Sequence, residues 1–248
     1  MTHRALPVGL LGLGALVLLW ALGTHLLKES VAVAALLSPR ETFPTLYQLL
    51  AGNELTLHTL MSLRRVLVGL ALALAAGIPI GLAVGVSRPV ESATGGAFQF
   101  LRMISPLSWM PIAVMVLGIG DAPIYFLLAF AAVWPILLNT AAGVRSLDPR
   151  WLMLAKSLSA TRREVLFRIV IPGILSHILT GVRLAIGIIW IILVPAEMLG
   201  VSSGLGYFIL DTRDRLAYSE LMAVIVLIGI LGFLLDALAQ KLHERWAR

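Results

Sequence analysis

Few side chains in this sequence can do chemistry, and most of those stand in apolar surroundings. Arg183 and Glu197 lie in or at the end of one apolar run, Arg102 one turn into another, and Trp134, Pro135 and Asn139 within a third. A charge at mid-bilayer costs about 2.5–3.5 kcal/mol on insertion scales, so such residues face protein or a water-filled cavity. Arg183 suits either a transient counter-charge in a water-filled cavity or a structural ion pair. Glu197 follows Pro195 near the end of its run, where bracing a gate fits it better than ligand contact. Ser105-Pro106 and Trp109-Met110-Pro111 interrupt their run and are candidates for lining a narrow passage. Packing is the favoured role for Trp134, Pro135 and Asn139, with a bond from Asn139 across helices as the alternative, and Arg102 is long enough to snorkel toward water.

Other chemistries fail on spacing. Gly200-Val-Ser-Ser-Gly204 formally matches G-x-S-x-G with Ser202 as nucleophile, but that motif needs a strand-turn-helix elbow and triad partners. A turn of small residues explains it better. The histidines at 3, 25, 58, 177 and 243 lack metal-ligand spacing. A phosphate loop around Lys156-Ser157 would need glycines where Arg150 and Ala155 stand. No cofactor is therefore expected on this chain. The absence of cysteine excludes disulfides and thiolate metal sites.

The elements that hold these residues follow from hydropathy. With 59% hydrophobic and 13% charged residues and a mean hydropathy of +0.96, the chain cannot cover itself with polar groups. Soluble domains average about 45–50% and 25%. Lipid is the expected solvent, and an all-α integral membrane unit spanning 1–248 the expected fold. About 20 apolar residues cross the hydrocarbon core, which predicts six spans: Leu6–Leu27, Val66–Val86, Phe98–Leu117, Ile124–Thr140, Ile174–Met198 and Leu221–Gln240. Pro106, Pro111 and Pro135 make the third and fourth irregular. Residues 28–65 form the longest connection, whose tail has helical spacing suited to the outer interface.

Loop charges set the expected orientation. With the N-terminus inside, the cytoplasmic loops and ends, counting Arg4 and Arg248, hold eleven Lys and Arg against six outside, Arg64 and Arg65 among the six. That predicts both termini in the cytoplasm. In the second span Gly69, Ala73, Gly77, Gly81 and Gly85 recur every fourth residue and offer a face for close helix approach. Gly181, Gly187, Gly229 and Gly232 suggest similar packing in the last two spans.

Residues 148–173, DPRWLMLAKSLSATRREVLFRIVIPG, carry seven charged side chains between two apolar runs. Asp148-Pro149 is a helix start, and Thr161 with Glu164 has capping-box spacing. The first helix sets Trp151, Leu154, Ala155 and Leu158 on one side. The second presents Val165, Leu166, Ile169 and Val170 before Pro172-Gly173, where a break is expected. Both ends enter the membrane within a few residues, which disfavours a DNA-reading helix-turn-helix. An ordinary basic loop on anionic lipid or a docking element for a cytoplasmic partner remain.

The stretch resembles the EAA loop of ABC importer permeases. Ile169-Val-Ile-Pro172 fills the closing element, Ser159 stands at the glycine position, and Met153-Leu154-Ala155 at E-A-A. Met153, Leu154, Ser159 and Ile171 depart from the pattern. "ISPLSWMPIAVMVLGIGDAP", "WPILLNT", "LTGVRLAIGIIWIILVPAEML", "SGLGYFILD" and "IGILGFLLD" are similar to the nitrate/sulfonate/taurine/bicarbonate branch, over about residues 57–236.

The resemblance implies a type I importer-like fold in a bacterial inner membrane, with the loop as coupling helices carrying Trp151, Leu154, Ala155, Leu158, Ser159, Ala160, Arg162 and Arg163 to an ATPase. ATP and Mg would reside on that separate subunit. A second copy of the chain, an extracytoplasmic binding protein delivering a small anion, and no nucleic acid complete the implied partners. A self-sufficient secondary carrier is the competing reading.

Overall fold

The computed structural model describes residues 5–246, and these are helical throughout with no strand among them. His3, Arg4 and Arg248, weighed above, lie outside the described residues. Helix α1 runs Ala5–Leu27, α2 Pro39–Ala51, α3 Glu54–Val86, α4 Arg88–Met103 and α5 Met110–Leu117. Helix α6 follows at Asp121–Ser146, then α7 at Pro149–Ser157 and α8 at Arg162–Val165. The chain ends in α9 Ile171–Gly200, α10 Leu205–Asp214 and α11 Tyr218–Trp246.

The centre is a three-helix packing of α3, α6 and α9, made possible by missing side chains. A Cβ on Gly69 would meet Leu128, on Gly77 Ile136, on Gly81 Thr140 and the Leu137 carbonyl, and on Gly85 Val144. The small-residue face of α3 is thus seated along α6. On the other side Gly181 of α9 meets the Pro135 carbonyl and Asn139. Ile124, Leu127, Leu128, Ile136, Ala185, Ile189 and Leu193 fill the space between the three helices. A second core joins α2, α10 and α11 through Leu46, Leu49, Phe208, Val224 and Leu227. Gly232 packs on Trp190, whereas no atom lies within 4 Å of a Cβ built on Gly187 or Gly229. Those two glycines do not mark contacts within the chain, contrary to expectation.

Three boundaries differ from the sequence reading. The second span begins at Glu54 rather than Val66, so Arg64 and Arg65 belong to α3 and not to a loop. The third, Phe98–Leu117, is two helices bent by 87° at Ile104-Ser105, with a 3-10 turn over Pro106–Trp109. Pro106 lacks an amide hydrogen and forces the residue before it out of the helical region. Third, Pro172-Gly173 does not end the helix, which runs continuously over Arg162–Gly200. Proline leaves the Arg168 carbonyl without its usual donor, and a π-type turn over Leu166–Val170 absorbs the misfit.

Four helices are long and apolar enough to cross a membrane: Glu54–Val86, Asp121–Ser146, Arg162–Gly200 and Tyr218–Trp246. The bent α4–α5 unit counts as a fifth candidate if its two arms form one broken span, and Leu11–Leu27 in α1 is a shorter apolar helix.

Candidate functional site

At one end of the bundle α7 and α8 form a short helical corner whose local geometry is written in its caps. Asp148 accepts from the Arg150 amide at 2.9 Å, and Thr161 and Glu164 exchange the two bonds of a capping box. Helix α7 ends in a Schellman turn: the Ala160 amide donates to the Ala155 carbonyl and Ser159 to Lys156, both at 3.0 Å. The turn needs a left-handed residue at position 159, and Ser159 supplies it with φ +52°. This is the position where the EAA pattern has glycine, which carries no Cβ penalty there.

The corner divides its residues sharply. Ala155 is 4% exposed and seals the helix to the bundle, while Trp151, Leu154 and Leu158 stand exposed. The exposed three line a groove of about 620 Å³ with Arg168, Ile169 and Pro172. Arg162 and Arg163 are exposed in the first turn of α8. The corner thus presents an exposed apolar patch with Arg162, Arg163 and Arg168 nearby.

A second locus lies beside the α4–α5 bend. Arg102, Trp134 and Asn139 line one recess there, together with Pro135, Leu184 and Ile188. Trp134 packs against Phe98 and Phe130, with ring centroids 5.7 and 5.6 Å away. Asn139 donates to the Pro135 carbonyl of its own helix at 2.8 Å rather than across helices, and it packs against Gly181 of α9. Trp109 packs on Phe130, and Met110 is buried in the central core beneath Gly200. Neither of the last two lines the recess. Arg183 points elsewhere, to Asp236 of α11, with Nε 3.3 Å from Oδ1.

The third locus caps the opposite end of the three-helix centre. Arg65, 1% exposed, donates Nη1 to Glu197 Oε1 at 2.6 Å and Nε to Asp121 Oδ1 at 2.9 Å. It also donates to the Ser203 carbonyl at 2.7 Å. Glu197, fully buried, accepts from Ser62 Oγ at 2.8 Å and from the Gly206 amide at 2.9 Å. The Gly204 amide donates to His58 Nδ1 at 3.0 Å. Arg64 bonds Asp121 from the exposed side. A carboxylate and guanidinium can be buried together because each is also fully hydrogen-bonded. Gly204 is dictated by this site: its φ is +111°, and a Cβ would strike Arg65 and Glu197. The G-x-S-x-G match is therefore a turn shaped by an ion pair.

Glu197 was legible in the sequence as a residue near a helix end, but Arg65, Ser62, His58 and Asp121 were missed. A signal existed: stepping the glycine stripe back by four from Gly69 lands on Arg65. The residue on the most closely packed face of α3 is the one buried with Glu197.

A model described as "Binding-protein-dependent transport system inner membrane component" matches residues 77–248. The chain belongs to this family. The bicarbonate transport system permease protein CmpB of Synechococcus elongatus is 38% identical over 76% of this chain and 68% of its own length. The nitrate import permease protein NrtB of Leptolyngbya laminosa is 36% identical over 74% and 66%. The taurine transport system permease protein TauC of Escherichia coli is 34% identical over 76% and 68%. A chain of the MetNI methionine ABC transporter, in an inward facing conformation, shares the fold with a TM-score of 0.61 at 15% identity, covering 75% of this chain and 93% of that one. The protein is thus a multi-pass inner-membrane permease of an ABC importer, and the family match and these relatives favour that reading over a self-sufficient carrier.

Proposed function

We propose that the permease pairs with a second copy of itself to form the translocation pathway for a small anion of the bicarbonate, nitrate, sulfonate or taurine class. An extracytoplasmic binding protein delivers the anion, and a separate ATPase subunit, which holds ATP and Mg, drives the conversion between outward- and inward-open states. Helix α1, the bent α4–α5 unit and the four long helices make six crossings, with both termini and the α7–α8 corner in the cytoplasm.

The observation that carries the reading is the exposed Trp151, Leu154 and Leu158 on a helix fixed at both ends by caps. Such a helix is pre-organised to seat in a groove of another protein at little ordering cost. Ser159, Ala160, Arg162 and Arg163 flank the seat. Force received there passes directly into α9, while the Arg65–Glu197 cluster braces the outer end.

Substitution of Leu158 by Asp tests the docking. Leu158 is 73% exposed, so the change leaves the permease folded. Loss of the co-purifying ATPase subunit, with membrane insertion intact, is expected. Equal recovery of the ATPase with wild type and Leu158→Asp overturns the coupling role. Ala155→Arg is a poorer probe, because that side chain is buried.

A further inference from the structure

The recess beside the α4–α5 bend holds about 350 Å³ and adjoins a second of about 120 Å³. Arg102, Trp134 and Leu138 line both. In the smaller space Glu91 and Arg145 neutralise each other at 2.5 Å. In the larger one Arg102 is the only charged lining residue, against walls that include Ile104, Leu184 and Ile188. Among the described residues Arg102 has no carboxylate within ion-pair distance, and its guanidinium donates to Gln99 Oε1 at 2.8 Å. Arg65 and Arg183, by contrast, are both paired. Trp134, 8% exposed, adds a buried indole N–H without an acceptor at the junction of the two spaces.

An uncompensated cation at the edge of an apolar recess selects by chemistry. An inorganic oxyanion entering it exchanges bulk water for apolar walls and gains one exposed cation and few donors, which is unfavourable. An anion with an apolar body sets the body against α6 and α9 and keeps only its head at Arg102. The size and the mostly apolar lining match those of small-molecule sites. Ala131 and Trp134, both buried, form its α6 wall, which sets the recess into the bundle.

We propose that this recess binds a small organic anion, with its carboxylate or sulfonate head at Arg102 and its apolar body against α6 and α9. The proposal rests on the importer reading for the anion's route, but not for the binding itself.

The test uses full-length permease in phosphatidylcholine nanodiscs, free of anionic lipid and of any ATPase. Butanesulfonate and butyrate are titrated against tryptophan fluorescence, with nitrate and bicarbonate as comparisons. Saturable change is expected for the organic anions, lost in signal with Trp134→Phe. Arg102→Gln should weaken binding by about tenfold, the worth of a charge-assisted hydrogen bond, and Arg102→Lys by less. Arg213→Gln, remote from the recess, should leave affinity unchanged. Equal saturation by nitrate, or organic binding unchanged in Arg102→Gln, overturns the proposal. Absence of saturation also overturns it and assigns the recess to a second copy or to lipid. Because no ATPase is present, failure of the docking role would show in the Leu158→Asp experiment and not here.

Discussion

At the scale of single residues, the permease separates positions that tolerate strain from positions that tolerate none. Ser159 holds a left-handed backbone that costs a residue with a Cβ roughly 1–2 kcal/mol. Ser159→Gly should therefore raise the thermal midpoint of the purified permease while ATPase recovery stays the same or improves. An unchanged or lowered midpoint would show that the hydroxyl contributes more than the backbone loses. Glu197 is the opposite case. Its removal takes from the buried Arg65 guanidinium one of its two carboxylate partners and from the Ser62 hydroxyl its acceptor. Breaking such a pair costs about 3–5 kcal/mol, so Glu197→Ala should lower yield and melting temperature strongly. Near-wild-type stability of Glu197→Ala would remove the cluster from any structural role. Arg65 escaped the sequence reading because charge counting assigned it to a loop by its neighbour Arg64. Its burial depends on partners 56 and 132 positions away, which no local pattern contains.

At the scale of elements, packing was more legible than boundaries. The four-residue repeat of small side chains in α3 was readable because it is periodic, and the structure seats it on α6. The α4–α5 bend was visible only as an irregularity, since prolines mark where a helix fails but not the 87° at which it resumes. Pro172 shows the limit more plainly. A proline followed by glycine reads as a stop, yet the π-type turn before it and the long apolar run after it keep the helix intact. The repeat yields its own test. At Gly81 a Cβ would lie 2.6 Å from the Leu137 carbonyl and 2.7 Å from Thr140, so Gly81→Leu must push α3 and α6 apart. Overpacking of this kind costs about 1–3 kcal/mol or more. Gly187→Leu meets open space and serves as the matched control. Protease resistance of the membrane-embedded protein should fall in the first variant and not in the second. Equal resistance in both would mean that α3–α6 contact does not depend on the stripe.

At the scale of the whole molecule, helix direction keeps the two polar loci apart. The Arg65 cluster and the α7–α8 corner sit at opposite ends of the three central helices, as the ends of α6 and α9 require. The chain contains no cysteine, so single introduced cysteines report their side cleanly. Ser202→Cys should react with a membrane-impermeant thiol reagent applied outside intact cells, and Ser157→Cys only after the membrane is opened. The reverse pattern would invert the proposed topology. One further consequence belongs to the unbroken helix over Arg162–Gly200. Its 39 residues at 1.5 Å each make a rod of about 58 Å, spanning the full hydrocarbon thickness with length to spare. One end of that rod begins at Arg162 beside the exposed corner, and near the other Glu197 is clamped by Arg65. A thrust at the near end is not spent in a joint at Pro172. In the proposed coupling it would arrive at the clamp as a load on Arg65, linking the two ends of the permease in series through a single piece of backbone.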